Sequence, residues 1–356
     1  MPLTSQQLNR IMSKSGQAFV PKNKMNYAGR VCETFLRKKL YRFEDRAALA
    51  AYNLLKQTNM LIREYALQTA AQLRLTTIGN NADSIAFRRM VSSYTVARLQ
   101  EYGERVAVQA YQFATMAYAA GYYGRLWMLD QATHHDPRVQ IKRLPRNKIA
   151  QAVLQPGFSE ATAPDMATYD YIGNEWRDGY MTAVSASTIK VKRVINATVQ
   201  TPSSVLGLTQ AIGTTLGVDA TAKEASSGLY HATSLPTRTA VMRSANHASA
   251  EVYTTHTELL LGAMWLTSHD SKVCPVCARQ DGRIFIINSL VGAALFGLPP
   301  DGSHYGCRCT IIPLLIPYDV ADTPPDDPFD DWLLEYGFMD ELDYFMQDNV
   351  LESTQL

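Results

Sequence analysis

Two short stretches in the last third of the chain, CPVCARQDGRIF (residues 274–285) and HYGCRC (residues 304–309), decide how this sequence is interpreted. Together they hold four of the five cysteines and one histidine within 36 positions. In a chain made in a reducing compartment, cysteines clustered in this way are metal ligands more often than disulfide partners. The two stretches therefore predict a compact Cys/His module near the end of the chain.

The spacing of these residues suits tetrahedral coordination of zinc by four ligands. A Cys-Pro-x-Cys turn points the thiols of Cys274 and Cys277 at one spot. Alternate residues of an extended segment share a face, so Cys307 and Cys309 can point inward while the arginine between them points outward. With His304 three residues before Cys307, there are five candidate ligands for four places.

A closed structural zinc site is the favoured interpretation of this cluster. A module of about 50 residues buries little core, and a bound metal would contribute folding free energy. Two alternatives stay open: cysteines without a metal, as a disulfide or as reduced thiols, and a catalytic metal site. A catalytic site requires an open coordination position and an oriented acid or base. Asp270, Asp281 and Asp301 are near in sequence, but nothing in the sequence orients them.

Upstream of the module the chain has a mainly helical pattern. Leu36, Leu40 and Phe43 recur at helical spacing, and residues 84–133 form a second long helical stretch. Inside the latter stretch, AYAAGYYGRLW (residues 117–127) permits close helix packing and places its aromatic residues in a core or a helix interface. The predicted fold class is mainly α, with long helices followed by a small C-terminal α+β zinc-knuckle-like module and an acidic tail.

Changes in composition along the chain predict its domain organisation. Helices are predicted to break at Pro236, which would separate a helix over residues 221–234 from one over residues 237–261. The predicted segments are a basic N-terminal arm (1–30), a helical domain (31–136), a proline-rich connection (137–165), a second helical domain (166–264), the Cys/His α+β module (265–317) and the acidic tail (318–356).

Charge is distributed unevenly along the chain. The net charge is +1, but residues 318–356 contain 12 Asp and Glu and no Lys or Arg, which leaves +13 on residues 1–317. A basic body with an acidic tail is typical of proteins that bind nucleic acid. A run of basic residues on a helix, however, is more often simply a solvated face. The candidates for contact with DNA phosphates are Arg37, Lys38, Lys39, Lys190, Lys192 and Arg193.

Neither a membrane span nor a secretory leader is predicted. The chain has no run of about 18 apolar residues, the length that a spanning helix needs. Its first residues, MPLTSQQLNRIMSKSGQAF, lack a basic segment followed by an apolar one. We therefore expect the protein to be made in a reducing cytoplasm.

The module also carries a family resemblance. Residues 265–285, WLTSHDSKVCPVCARQDGRIF, are similar to the W…D…C-P-x-C-x-x-x-D-G-x-x-F segment of the Mu F-like head-morphogenesis proteins of tailed bacteriophages. Residues 299–310, PPDGSHYGCRCT, resemble the P-P-x-H-P-x-C-R-C ending of that family, with Tyr305 in place of its second proline. Residues 238–244 resemble its preceding helix, except that Ala245 stands where the family has Glu.

The resemblance implies a non-enzymatic virion component, a minor head protein carried in a few copies near the portal vertex. It implies contact with the portal protein or the inner capsid, a role in head assembly and DNA packaging or delivery, and non-specific binding of double-stranded DNA. Localisation would be the virion, after assembly in the host cytoplasm. Two other functions remain open from the residues: a metal-dependent nuclease or hydrolase that uses His304 and the cysteines, and a helical DNA-binding regulator with a zinc module.

Overall fold

The computed structural model describes residues 27–133, 166–218, 228–268, 273–286, 299, 306–315 and 329–335. In these parts of the chain the fold is mainly α with a small C-terminal region that contains strands, as predicted. The long helices are therefore confirmed. The helices are α1 Tyr27–Gln72, α2 Ala82–Ala132, α3 Met166–Ala197, α4 Val205–Leu216, α5 Leu229–Thr255, α6 Pro275–Gln280 and α7 Phe329–Glu335.

The chain forms two compact units, each assembled from separate stretches. The cysteine unit comprises Met1–Glu44, Gln112–Ala163 and Thr239–Leu356, and the helical unit comprises Asp45–Tyr111 and Pro164–Arg238. The domain boundaries predicted from composition follow the chain in order and stay predictions. The connection predicted over 137–165, and most of the arm and the tail, lie outside the described residues.

The helical unit has an apolar core with buried tyrosine hydroxyls. Tyr102 and Tyr180 are buried, and their hydroxyls pair with those of Thr233 and Thr237 at 2.8 Å in both cases. A two-stranded antiparallel pair, β1 (Thr77–Ile78) with β2 (Ser203–Ser204), belongs to the same unit. Because a buried hydroxyl is costly when unpaired, these two pairs fix the position of α5 in the unit.

Helix α5 corrects one prediction from the sequence. We expected Pro236 to separate two helices, but the helix runs through it from Leu229 to Thr255. A proline removes one backbone hydrogen bond and crowds the preceding turn. Thr233 and Thr237, on either side of Pro236, are both buried and make the hydroxyl contacts to Tyr102 and Tyr180. These tertiary contacts hold both sides of the helix in place despite the proline.

Helix α4 is capped at both ends by neighbouring residues. Ser204 is the N-cap, and its hydroxyl accepts the N–H of Gly207 at 3.0 Å, which satisfies one of the free donors of the first turn. Gly217 ends the helix with a φ of 84°, a left-handed conformation that glycine adopts without steric cost. The run 189–195 alternates like a strand in sequence but lies in α3.

A three-stranded antiparallel sheet gives the cysteine unit its second layer. Its order is β4–β3–β5, with β3 Leu260–Leu266, β4 Ile284–Ile286 and β5 Thr310–Leu315. These strands confirm the β content expected of the predicted α+β module. The helix predicted over residues 237–261 ends six residues earlier than expected, because the apolar run from Leu260 pairs on both sides as the central strand. A continuous apolar run is compatible with either element, and its pairing decides the outcome.

Helices α2 and α5 approach closely within the cysteine unit. A Cβ atom on Gly121 would lie 3.0 Å from the backbone O of Ala245 and 3.1 Å from its Cα. The aromatic residues around Gly121, including Tyr118, Tyr122 and Trp127, are buried in the same core. The close packing and the core role predicted for AYAAGYYGRLW are therefore confirmed. Ala245, where the resembled family has Glu, provides the small surface that this approach requires.

The close approach of α2 and α5 predicts that stability is sensitive to substitution at Gly121. We expect Gly121→Ala to lower the free energy of unfolding by about 1–3 kcal/mol, because backbone atoms of α5 must move to admit the new methyl group. Gly179→Ala in α3 is the matched control. Gly179 is exposed, its Cβ would meet nothing within 4 Å, and alanine should stabilise that helix by up to about 1 kcal/mol. Chemical denaturation measures both, and equal effects would contradict the close approach.

Candidate metal centre

The Cys-Pro-x-Cys stretch forms a loop that turns into a short helix. Cys274 is the N-cap of α6 and Pro275 occupies the first turn, where its missing N–H costs nothing. The Cys274 Sγ accepts the backbone N–H of Cys277 at 3.3 Å. Cys277 is buried, whereas Cys274 is half-buried. The turn therefore holds two sulfur atoms on the same side of the helix start.

The Cys-Arg-Cys stretch follows a left-handed turn and leads into β5. Gly306 has a φ of 75°, and its N–H donates to Thr239 Oγ1 at 2.7 Å. Cys307 and Cys309 are both buried, as the alternation of an extended segment predicts. The backbone N–H of Cys309 donates to the Sγ of Cys307 at 3.4 Å, which orients that sulfur toward the other cysteines.

Arg308 points away from the cysteines and is bound by α1. Its Nε donates to Glu44 Oε2 at 3.0 Å, and its guanidinium lies 4.2 Å from the centre of the Tyr41 ring. The Tyr41 hydroxyl donates to the Arg308 backbone O at 3.0 Å. Glu44 is buried, so the arginine supplies the charge that this carboxylate needs. The outward direction of Arg308 is confirmed; its partners on α1 carry no sequence signal.

Three thiols meet at one point inside the cysteine unit. The Sγ atoms of Cys277, Cys307 and Cys309 all lie within 4.8 Å of one another, and those of Cys277 and Cys307 are 3.6 Å apart. Two sulfurs on a tetrahedral zinc ion are separated by about 3.8 Å, given zinc–sulfur bonds of about 2.3 Å. The three cysteines could therefore hold a metal ion with little rearrangement.

The fourth coordination place has two candidates. Cys274 lies outside the group of three, although its sulfur caps the backbone of Cys277 next to them. His304 lies outside the described residues. The donor set is thus three buried sulfurs with a fourth sulfur adjacent, a composition that soft or borderline cations such as zinc prefer.

The electrostatics of the thiols favour a bound cation over free thiolates. Burial, and after it the neighbouring Cys307, raise the pKa of Cys277 to about 12. The pKa of Cys309 is also raised, first by its hydrogen bond with Cys307 and then by burial. Negative charge at this place is therefore costly unless a cation compensates it. A metal ion would supply that charge and displace the protons.

No match to this chain is found among protein-family models, curated proteins or solved structures. The resemblance to Mu F-like proteins therefore stays a prediction that depends on the motifs themselves. Several of the described motif residues can, however, be assigned a physical task in this structure.

The tryptophan of the motif lies directly beside the thiols. Trp265 is fully buried in β3, and its Nε1–H makes no well-aligned hydrogen bond with any described residue. It lies near enough to Cys309 to lower the pKa of that thiol against the larger effect of burial. A metal-bound thiolate at Cys309 would give this buried donor the acceptor that it lacks.

The Asp-Gly element shapes the turn between α6 and β4. Asp281 Oδ1 accepts the backbone N–H of Thr267 at 2.9 Å and its hydroxyl at 3.1 Å. Gly282 has a φ of 82°, and its N–H donates to the Trp265 backbone O at 2.8 Å. Asp281 is thereby oriented toward the end of β3. Its observed contacts are those of a turn-forming residue.

Asn246 joins α5 to the loop that carries the cysteines. Its Nδ2 donates to the backbone O atoms of Pro299 and Cys309, both at 3.0 Å. Its Oδ1 accepts the backbone N–H of Ile311 at 3.2 Å. Asn246 is 1% exposed, so water cannot replace these partners. No sequence pattern marks this residue, since a lone asparagine in a helix has many common explanations.

Arg125 makes a second polar connection inside the same unit. It is 1% exposed, and its Nε donates to Ser249 Oγ while a terminal nitrogen donates to Thr310 Oγ1, both at 3.0 Å. These bonds join α2, α5 and the first residue of β5. The cysteine loop is therefore held in position by hydrogen bonds to two helices.

The predicted DNA-contact residues lie on two helices. On α1, Lys38 is exposed and Lys39 is half-buried. Arg37 also belongs to α1, but its side chain lies outside the described part of the structure. The other three candidates are exposed on α3. Their contact with DNA stays a prediction. The α3 candidates are Lys190, Lys192 and Arg193.

None of the helices in the described parts of the chain has the length and apolar character that a membrane span requires.

Proposed function

We propose that this chain is a minor head protein of a tailed bacteriophage, a virion structural component near the portal that aids head assembly and DNA packaging or delivery. The observation that carries the proposal is the convergence of the motif. Trp265, the Cys274–Cys277 turn and the Cys307–Cys309 stretch are separate in sequence, yet they surround one cluster of thiols. Such convergence is expected if these residues form one site rather than matching the family by chance.

The thiol cluster is proposed to be a structural zinc site. Cys277, Cys307 and Cys309 would be three of its ligands, and Cys274 or His304 would supply the fourth. Bound zinc would contribute charge compensation and a covalent link between α6 and the entry to β5. The residues around it hold the ligands in place: Asn246 binds the Cys309 backbone, and Arg308 binds Glu44 on the other side of the loop.

A metal-dependent nuclease or hydrolase is less well supported by the same site. A catalytic zinc ion needs an open position and an oriented acid or base. The three clustered cysteines are buried, and Asp281 is occupied by Thr267. If the site were catalytic, His304→Ala would abolish turnover and leave stability unchanged. The proposed structural role predicts that this change alters stability or nothing, with no turnover to lose.

The DNA-binding part of the proposal predicts a strong dependence on salt. Non-specific contacts between lysine or arginine and phosphates release counterions, so the affinity for random duplex should fall steeply as salt rises. With about three phosphate contacts, the affinity should drop about 40-fold between 50 and 200 mM monovalent salt. Fluorescence anisotropy with two duplexes of unrelated sequence measures this. Equal affinity at both salt concentrations, or preference for one duplex, would contradict non-specific binding.

A regulator with a zinc module would behave differently in the same experiment. It would distinguish the two duplexes and retain that discrimination at moderate salt, because base contacts do not depend on counterion release. The minor head assignment is tested separately, by the presence of the chain in purified heads.

A further inference from the structure

The short acidic helix α7 is docked by two apolar residues. Phe329 and Leu333 are 2% and 0% exposed and belong to the core of the cysteine unit. The Phe329 ring lies 5.3 Å from that of Trp127 on α2. Leu334, on the same helix, is 62% exposed. The sequence of α7, FDDWLLE, thus combines a buried apolar side with three carboxylates.

This docking brings α7 against a basic part of α1. The Lys39 ammonium lies 4.5 Å above the centre of the Phe329 ring, a favourable cation–π contact. Lys38 and Arg42 are exposed. Residues three and four apart on a helix are neighbours, so Arg42 lies beside both lysines on one side of α1. Two of the three acidic residues of α7, Asp330 and Asp331, directly follow Phe329 in the sequence.

We propose that Lys38, Lys39 and Arg42 form a contact surface for duplex DNA, and that α7, docked against Lys39, keeps duplex from approaching this surface in the free protein. The inference rests on the proposed DNA-binding function and adds its regulation. The net negative charge of α7, FDDWLLE, lowers the local positive potential, and the docked helix occupies the approach to Lys39. DNA and α7 therefore compete for the same cations, and undocking of α7 raises the affinity for DNA.

The test is a double substitution that undocks α7 without changing the charge of the chain. Phe329→Ala with Leu333→Ala removes both buried anchors, and Leu334→Ala is the matched control on the exposed side. We expect the double variant to bind random duplex about tenfold more tightly than the unchanged chain at 100 mM salt. The slope of log affinity against log salt concentration should become more negative by about 2–3, which is the change expected for three additional phosphate contacts. The Leu334→Ala variant should match the unchanged chain.

Further substitution of Lys38 and Arg42 by alanine in the undocked chain should remove most of the gain. Measurable binding that is equal in the unchanged, undocked and control chains would overturn the covering role and leave DNA binding intact. Absence of duplex binding in every variant at low salt would instead overturn the proposed DNA-binding function.

Hydrogen exchange on the unchanged chain gives a second readout that does not depend on the folding of a variant. Saturating duplex should displace α7 and speed exchange at the amides of residues 329–335, while the amides of α4 should stay as they were. Unchanged protection of α7 in the DNA-bound protein would overturn the proposal.

Discussion

Replacing Cys277 by serine is expected to abolish metal binding and to lower the melting temperature of the cysteine unit by more than about 10 °C. Cys277 is buried, and its Sγ lies 3.6 Å from that of Cys307. A structural zinc ion contributes of the order of 10 kcal/mol to the folding of a small module, and a loss of a few kcal/mol already shifts melting by about 10 °C. Elemental analysis and calorimetry of the purified chain measure the two effects.

Cys32→Ser is the matched control, since Cys32 lies in α1 outside the motif. The same chemical change there should leave both the zinc content and the melting temperature close to those of the unchanged chain. A strong chelator added to the unchanged chain should reproduce the loss of stability seen with Cys277→Ser. A chain purified without chelator that contains no metal, and that melts at the same temperature with and without chelator, would contradict the zinc site.

Asn246→Ala is expected to be the most damaging single substitution among the buried polar residues outside the thiols. It removes two donors and one acceptor, and it leaves the backbone groups of Cys309 and Ile311 buried without these partners. Each unsatisfied buried group costs about 1–3 kcal/mol, so we expect a loss of about 3 kcal/mol or more in the free energy of unfolding. Chemical denaturation monitored by tryptophan fluorescence measures it.

Asn246→Asp separates the two functions of that amide. Aspartate keeps an acceptor for the Ile311 N–H but cannot donate to the carbonyl groups of Pro299 and Cys309, so it should also destabilise strongly. Asn53→Ala, at an exposed position of α1, is the control and should change stability by less than about 0.5 kcal/mol. Similar effects at positions 246 and 53 would show that Asn246 does not hold the cysteine loop.

Local chemistry made part of this structure predictable. The Cys274-Pro275 turn, the Ser204 cap and the Gly217 terminus follow from rules that involve only neighbouring residues. The clustering of Cys277 with Cys307 and Cys309 was predictable for another reason. The spacing of these cysteines is typical of metal ligands, and few other structural requirements place cysteines in such a pattern.

The remaining features depend on contacts between residues far apart in sequence. Pro236 is accommodated because Thr233 and Thr237 bind tyrosines more than 50 positions away. Arg308 donates to Glu44, which lies 264 positions earlier in the sequence. No local sequence pattern marks such a pair. The strand from Leu260 looked helical because an apolar run fits either element until its pairing partners are known.

The central claim is that this chain is a structural component of a phage head, and quantitative mass spectrometry of purified procapsids and virions tests it most directly. The major capsid protein in the same sample serves as the internal standard for copy number. We expect a few copies of the chain per particle, and we expect these copies to stay bound after the particles are washed at high salt. Absence of the chain from both procapsids and virions would contradict it.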